Sequence, residues 1–373
     1  PTVTVNTAAG TVSGLVVDDA LTVTTGGSLA VSGPSRLSGS LTLSGGTFAT
    51  AAADINSLLF NSGAWTANGD GTLSSLTFSG GTWSGSGLMT LNGTGTWSGG
   101  TFAGKLQVAA GQTLTVNGGA KSFGAGTLTN DGTITWSAGD IDIVGNGSIT
   151  NNGLFNIAGN LLIGDNSVGT GNIAFDNTAS GILRRSAGAG TAYLGSSGGG
   201  TPDFVNLTSA GLIDVQTGTL RLNGIVAGSG TGSSSITGTV QVAAGATLDF
   251  GGGSGTNTLA AGSTLTGAGT LTVSSGTLNV AGTDTLTGAR NFSGGSATFA
   301  PTSGAITATA LTVSGGTATF DVGVTTPSLA ISSGAGDFNA AGSLGALTLS
   351  GGSFGGSGLM TLNGTGTWSG GTF

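Results

Sequence analysis

The chain has 373 residues, of which 78 are glycine, and its formal net charge at pH 7 is −8. Charged residues make up 6% of it, every acidic residue is Asp, and His and Cys are absent. This composition excludes disulfides, thiolate or imidazole metal sites, and catalysis by a Ser-His-Asp or Cys-His arrangement. With 7 Lys and Arg residues against 15 Asp, it also argues against binding nucleic acid through phosphates.

The composition favours an all-β chain of many short strands joined by glycine turns. Apolar residues are 37% of the chain and evenly spread, which separates it from a disordered glycine-rich linker. No apolar run approaches the roughly 20 residues that a membrane-spanning helix needs, so we predict no membrane insertion of this segment. The chain begins at Pro1 without a signal segment, and we therefore expect a processed chain or part of a longer one.

A short motif, Ser-Gly-Gly-Thr followed by an aromatic residue, organises the chain. It stands at Ser44–Phe48, Ser79–Trp83 and Ser98–Phe102, and in shortened form at Ser62–Trp65, and the series resumes at Ser293. The motif recurs at intervals of roughly 17–21 residues, which is the length of one coil of a β-solenoid. We predict a single elongated parallel β-helix of about 19–20 coils, right-handed by the usual chirality of parallel crossovers.

The strand segments between the turns alternate an apolar residue, Thr and an apolar residue. Period-two alternation places both apolar side chains on one face, which must point into the coil. The predicted inward residues are Leu41, Leu43, Leu76, Phe78, Leu114, Val116, Leu311 and Val313. The predicted outward residues are Thr42, Thr77, Thr115 and Thr312.

The regularity of the repeat divides the chain into three parts. Regular coils are predicted for residues 1–125 and again for 271–373, and less regular coils for 126–270. Within the middle part, residues near 169–204 lose the alternation and contain the only Tyr. We interpret this stretch as a longer coil with a surface excursion.

Three segments carry a resemblance to a group of known proteins. They read GTLTVSSGTLNVAGT, LTLSGGTF and FVNLTSAGLIDVQTGTLRLNG. In composition and period, the chain resembles the repeat regions of secreted bacterial β-solenoid proteins, namely autotransporter passengers and filamentous-haemagglutinin-like adhesins. The resemblance implies a rigid extracellular or cell-surface rod that serves as an adhesin, stalk or fibre.

Two small groups of residues are candidates for a site, and no catalytic residue or cofactor is predicted. Asp140 and Asp142 lie two positions apart on one strand face and form a weak candidate for calcium, which requires six to eight oxygen ligands. Solvated or turn-capping aspartates are the favoured interpretation. Arg184, Arg185 and Tyr193 form a weak candidate patch for a ligand such as a host-cell, surface or matrix glycan. The favoured alternative is a solubilising loop, because adjacent strand residues point to opposite faces.

Two further residue types suggest alternative functions. The five Trp residues, Trp65, Trp83, Trp97, Trp136 and Trp368, could stack on carbohydrate, although their position beside the Ser-Gly turns favours an internal ladder. Thr-x-Thr pairs suggest an ice-binding face, and they stand at Thr94-Thr96, Thr133-Thr135, Thr307-Thr309 and Thr317-Thr319. These pairs do not recur at one fixed phase of every coil in the sequence, which argues against a smooth face. A carbohydrate-active β-helix enzyme is the third alternative.

A much longer repeat overlies the short one. The segment Gly85–Phe102 recurs without change at Gly356–Phe373, an offset of 271, and residues 41–102 as a whole match 311–373. The offset is 270 further upstream, so one residue has been inserted between Ala318 and Ser328. We predict that this residue lies in a turn or bulge, and that Trp97 and Trp368 occupy equivalent environments.

These observations lead to a structural function as the main hypothesis. We expect an extracellular fibre or adhesin stalk of a bacterial surface, made of tandem repeats in a longer native chain. The alternative in the same location is a filament or sheath subunit that stacks head to tail, because uncapped terminal coils present unpaired backbone groups.

Overall fold

A computed structural model describes residues 2–164, 171–195, 204–222, 232–251, 253, 255–302 and 304–373. These residues form strands and turns and contain no helix, so none of them belongs to a helix long and apolar enough to cross a membrane. The chain divides into two compact units, Pro1–Asp176 and Asn177–Phe373. Each unit is a parallel β-solenoid, and together they comprise about 17 turns.

The described part of the first unit contains nineteen strands, the last of which ends at the first residue of the second unit. Their bounds are β1 Thr2–Val5, β2 Ala8–Val12, β3 Leu15–Val17, β4 Ala20–Thr24, β5 Ser28–Ala67, β6 Gly71–Phe78, β7 Thr82–Ser84, β8 Leu88–Trp97, β9 Thr101–Phe102, β10 Lys105–Val108, β11 Thr113–Val116, β12 Lys121–Phe123, β13 Thr127–Asn130, β14 Thr133–Trp136, β15 Ile141–Ile143, β16 Gly147–Asn151, β17 Leu154–Ile157, β18 Leu162–Gly164 and β19 Asn172–Asn177. The long strand β5 pairs with the coil before it through its earlier part and with the coil after it through its later part.

The second unit contains the remaining strands of the described chain. Their bounds are β20 Ile182–Arg185, β21 Thr191–Leu194, β22 Phe204–Ser209, β23 Leu212–Val215, β24 Thr219–Leu222, β25 Ser234–Ile236, β26 Thr239–Val242, β27 Thr247–Phe250, β28 Thr256–Leu259, β29 Thr264–Gly267, β30 Thr270–Val273, β31 Thr277–Val280, β32 Thr283–Leu286, β33 Arg290–Phe292, β34 Ser296–Phe299, β35 Ile306–Thr307, β36 Leu311–Val313, β37 Thr317–Phe320, β38 Val324–Ile331, β39 Ala335–Phe338, β40 Gly342–Leu349, β41 Ser353–Gly355, β42 Met360–Leu362 and β43 Gly366–Trp368.

Each regular coil has three sides, because a strand pairs in parallel with the third strand after it. In the first unit β10 pairs with β13, β11 with β14 and β12 with β15, all without a register shift. Glycine turns the chain at the corners. Gly81 and Gly100 both have a positive φ, and a Cβ added to Gly81 would lie 2.5 Å from the Phe60 ring. A side chain is therefore excluded at this corner both by conformation and by space.

Coil length varies more than the sequence motif indicates. In the first unit, the register partners Asn130 and Asn151 are 21 residues apart. In the second unit, the register partners Arg184 and Asp214 are 30 residues apart. The longer coils use more chain for each turn, so the prediction of 19–20 coils was too high.

The predicted inward and outward faces are confirmed. All eight predicted core residues are buried, with Leu41, Leu43 and Val313 fully so. Of the predicted outward residues, Thr77 is exposed and the other three are half-buried. Stacking apolar residues in register removes them from water without any change of phase between coils.

The stretch that we interpreted as an excursion falls partly outside the described residues, which omit 165–170 and 196–203. The described portion contains β20 and β21, both of which alternate between buried and half-buried residues. In this portion, therefore, the coil continues to form regular strands despite the uneven sequence spacing.

The long repeat is reproduced in the strand registers of the two units. In the first unit Leu76 pairs with Gly95 and Phe78 with Trp97. In the second unit the equivalent residues make the same pairs, Leu347 with Gly366 and Leu349 with Trp368. Identical sequence thus produces identical strand pairing in two separate parts of the chain.

The inserted residue lies in a turn, as predicted. Asn68 donates its backbone N–H to Thr50 in the first unit, and Asn339 donates to Phe320 in the second, so the offset is still 270 at Phe320. It is 271 at Thr325, which pairs with Ser343 as Asp54 pairs with Thr72. The extra residue therefore belongs to the bend between β37 and β38, where it leaves the faces of both strands unchanged.

Candidate functional site

Asp140 and Asp142 flank a buried lysine that the sequence analysis did not single out. Lys121 is only 2% exposed and pairs in register with Ile141, the residue between the two aspartates. Burial lowers the pKa of Lys121 from 10.5 to about 8, and the negative charges of Asp140 and Asp142 oppose this shift. The two carboxylates thus act on an ammonium group that the chain itself supplies.

The Lys121 ammonium also has backbone partners. Its Nζ donates to the carbonyl oxygens of Gly119 at 2.7 Å, Ala138 at 3.2 Å and Gly139 at 3.3 Å. Gly139 accepts a further hydrogen bond from the indole N–H of Trp136 at 2.8 Å. Three acceptors match the three donors of an ammonium group, so Lys121 fastens two successive turns together.

The carboxylate of Asp140 has a structural partner of its own. Its Oδ1 accepts a hydrogen bond from the backbone N–H of Leu162 in the next coil, at 3.0 Å. Within the described part of the chain, no group of three or more acidic side chains is placed to hold a metal ion. Calcium at Asp140 and Asp142 therefore stays an untested prediction, without further ligands in the structure to support it.

The candidate residues Arg184 and Arg185 lie on opposite faces of β20. Arg184 is half-buried on the outer face, whereas Arg185 is fully buried in the core. The Arg185 guanidinium donates to the carbonyl oxygens of Ala187, Gly188 and Gly190, where it holds the following turn. Arg185 thus serves the turn, and of the three candidates Arg184 and Tyr193 lie on the outer surface.

Arg184 is one member of an ion pair between successive coils. Its Nε lies 2.9 Å from Oδ2 of Asp214, its register partner on β23. The same oxygen accepts a hydrogen bond from the side-chain amide of Gln216 at 2.8 Å. Asp214 is only 7% exposed, so this pair is screened less by solvent than a pair on an open surface.

A second ion pair occupies the neighbouring side of the second unit. Arg221 pairs in register with Tyr193 on one side and with Asp249 on the other, and its Nε lies 3.5 Å from Oδ2 of Asp249. The other carboxylate oxygen accepts a 2.9 Å hydrogen bond from Ser274. Burial raises the pKa of Asp249, and the charge of Arg221 and this hydrogen bond oppose the shift.

We call Arg184, Tyr193, Asp214, Arg221 and Asp249 the charged face. Its members come from β20, β21, β23, β24 and β27, and alternation directs each of them outward. Sequence reasoning missed Arg221, Asp214 and Asp249. The signal was present in IDV, LRL and LDF, three strands that each carry a charge at the outward position, but the long interval between paired strands could not be read from the short repeat.

The tryptophans form an internal aromatic ladder in the first unit, as the sequence favoured. Trp65 and Trp83 are fully buried, with ring centroids 4.7 Å apart, and Trp83 meets Phe102 edge-on at 5.2 Å. Phe60 and Phe78 stack alongside at 4.9 Å. These rings are not accessible to a carbohydrate.

The prediction that Trp97 and Trp368 share one environment was wrong. Trp97 is 4% exposed and has a register partner in the coil on either side, Phe78 and Val116. Trp368 is 66% exposed and pairs with Leu349. An inward side chain is buried only where coils cover it on both sides.

No family model, curated protein or solved structure matches the chain. The architecture is therefore established by the strand pairing of the chain itself, and the function is argued from its geometry.

Proposed function

We propose that the chain is part of an extracellular structural fibre or adhesin stalk on a bacterial surface, built from tandem β-solenoid repeats. The observation that carries this proposal is the exact recurrence of Gly85–Phe102 at Gly356–Phe373, together with the matching strand registers. In the first unit, this coil is followed by Lys105–Val108, which pairs with it directly. An identical coil offers the same surface for the same continuation.

The chemistry of the coils supports a structural role. Backbone hydrogen bonds run between coils, and the core between them is a continuous ladder of apolar and aromatic side chains. Charged residues are 6% of the chain, so equivalent positions stack about 4.8 Å apart with little repulsion between like charges. Stability of such an array grows with each added coil contact. The extracellular location rests on the resemblance to secreted bacterial solenoids.

Tandem chains test this proposal directly. We expect chains with one, two and three copies of residues 103–373 to give rods whose contour length in electron micrographs grows by equal steps. The junction places Ala103 after Phe373 and so restores the Phe102-Ala103 sequence. Beads joined by flexible segments, or a length that does not grow, would contradict the proposal.

A matched pair of variants shows whether stacking at the junction is responsible. Trp368→Asp at the first junction places a charge in the ladder, and we expect it to create a flexible joint there. Thr367→Asp changes the neighbouring outward position and should leave a straight rod. Equal bending in both variants would show that the junction does not depend on the core.

The alternative of a self-stacking filament subunit predicts a different response. Head-to-tail stacking of separate chains depends on protein concentration, whereas a rod made of covalent repeats does not. Sedimentation velocity of the intact chain over a range of concentrations separates the two. A concentration-dependent series of larger species favours stacking.

One observation favours the ice-binding alternative more than the sequence indicated. Thr94, Thr113 and Thr133 pair in register, as do Thr96, Thr115 and Thr135, so two rows of Thr run across three coils. The next coil continues them as Leu154 and Asn156, which ends the array. Thermal hysteresis of the intact chain, lost on Thr115→Lys, is the result that would support this second function.

A further inference from the structure

One side of the second unit contains a break in its ladder of paired strands. The strand β32 pairs with β29 before it, and β35 pairs with β38 after it. Among the described residues no pairing joins β32 to β35, although the strands on the other two sides of these coils pair without interruption. Hydrogen bonding resumes beyond the break, where Thr309 donates its backbone N–H to Thr287 at 3.1 Å. The wall of the solenoid is therefore open at one position between intact segments.

A buried ion pair lies at this break. Asp284 and Arg290 are both fully buried, and Oδ1 of Asp284 lies 2.7 Å from Nη2 of Arg290. The edge residue Leu286 donates its backbone N–H to Oδ1 of Asp284 at 3.1 Å, and its carbonyl accepts from Nη2 of Arg290 at 2.9 Å. The ion pair thus satisfies backbone groups of Leu286 at the strand edge.

Arg290 also reaches across the break. Its Nη1 is 3.4 Å from the carbonyl oxygen of Thr307 on β35. Two buried polar atoms of the pair nevertheless have no protein partner, Oδ2 of Asp284 and Nε of Arg290. A buried carboxylate oxygen or guanidinium N–H without a partner is unfavourable by about 1–3 kcal/mol, so a group that can both donate and accept a hydrogen bond is favoured here.

A cavity of about 320 Å³ opens at the same place. Residues 284–287 line one edge, and Gly304, Ala305 and Thr307 line the other. Thr285, Thr287 and Thr307 are exposed at its rim. The volume lies at the lower end of the range for small-molecule sites, which begins at about 300 Å³.

We propose that this cavity binds a neutral polyhydroxyl compound, of the size of a single sugar unit. A hydroxyl group both donates and accepts, so it can meet an unpaired acceptor and an unpaired donor, and the three rim hydroxyls have the same capacity. The charges of Asp284 and Arg290 compensate each other, so an anion or a cation would lose hydration without gaining an opposite charge. The site is independent of the proposed fibre, since one repeat contains all of it.

The first test measures binding of D-glucose to the full chain by saturation-transfer NMR and titration. We expect saturable binding, and a decrease in affinity of about tenfold or more in Ala305→Leu, whose side chain enlarges at an exposed lining position. Thr309→Leu is the matched control, because Thr309 is exposed and lies outside the cavity lining. Its affinity should equal that of the original chain.

Other outcomes would overturn the assignment. Absence of saturation transfer shows that the cavity holds water only, and equal affinity in Ala305→Leu places the binding elsewhere. The ligand class is tested with D-glucuronate and with D-glucosamine in its ammonium form, both of which should bind more weakly than glucose. Tighter binding of glucosamine would show a cation site instead. Circular dichroism of each variant establishes that the solenoid is retained.

Discussion

Asn130 donates its side-chain amide to Oδ1 of Asn151, its register partner in the next coil, at 2.7 Å. Both side chains are fully buried, and the same amide donates to the carbonyl oxygen of Leu154 at 2.9 Å. An inward polar residue at the end of a strand is therefore tolerated because the corner of the next coil supplies its acceptors. The pair fixes the position of the corner as well as that of the strand.

This relationship predicts that Asn130→Ala destabilises the first unit. The substitution removes two buried hydrogen bonds and a donor for the Leu154 carbonyl, which corresponds to about 1–3 kcal/mol. Urea unfolding followed by circular dichroism measures the change. Thr129→Ala, at the half-buried outward position next to it, is the control and should change stability by about 0.5 kcal/mol or less. Equal effects of the two would show that the amide contacts contribute nothing.

The aromatic ladder gives a second prediction, which compares two tryptophans one coil apart. The indole N–H of Trp65 donates to Oγ1 of Thr50 at 3.4 Å, whereas that of Trp83 is buried without an acceptor. Phe at position 83 removes an unsatisfied donor, but Phe at position 65 removes a hydrogen bond. We therefore expect Trp65→Phe to be the more destabilising substitution.

The measurement is the difference in the unfolding midpoint of the two variants. Both lose a similar ring area, so loss of apolar burial affects them alike. The companion variant Trp83→Ala should be far more damaging, by about 3–5 kcal/mol, since it leaves a cavity between stacked rings. A larger loss in Trp83→Phe than in Trp65→Phe would contradict the assignment of the unsatisfied donor.

The alternation of apolar residues predicted the fold because each coil repeats the same local rule. Leu41, Phe78 and Val313 could be placed in the core from the sequence, since a strand face has a fixed period of two. The ion pair of Arg184 with Asp214 could not be predicted in this way. Its two members are 30 residues apart, and coil length in that region is set by turns whose lengths carry no periodic signal.

The buried lysine was missed for a related reason. In the sequence, Lys121 follows Gly118, Gly119 and Ala120 and resembles an exposed turn residue. Only the stacking of the next coil shows that Ile141 is its register partner, with an aspartate on either side. A charge that occupies an apolar position is recognisable from sequence only when the register between coils is already known.

Lys121 predicts an unusual response to alkaline pH. Its folded pKa of about 8 is below the ordinary 10.5, so the unfolded chain binds more protons between these values. Stability should therefore rise as the pH increases from about 8 to 10.5, by about 3 kcal/mol in total. Below pH 8 the lysine is protonated in both states and the gain is absent.

Unfolding in urea at a series of pH values measures this effect with little interference. The chain has one other lysine, the exposed Lys105, and one tyrosine. Lys121→Met should abolish the rise in stability, and Lys105→Met should preserve it. If stability falls steadily from pH 8 upward in the unmodified chain, the Lys121 ammonium is not desolvated as described.

The one-residue insertion provides the last prediction. It belongs to the bend between β37 and β38, where Val322 is half-buried and the first unit has one residue fewer. Deleting Val322 shortens this bend to the length found in the first unit and leaves both strand faces in phase. Deleting Ala330 within β38 instead shifts every following residue of that strand by one and turns Ile331 away from the core. We expect the Val322 deletion to fold with a small loss of stability and the Ala330 deletion to unfold the surrounding coils. Thermal unfolding and hydrogen exchange of Leu329 and Leu347, which pair across these coils, measure the difference. If both deletions are equally damaging, the bend is as tightly specified as the strands, and the two repeats differ by more than the length of one turn.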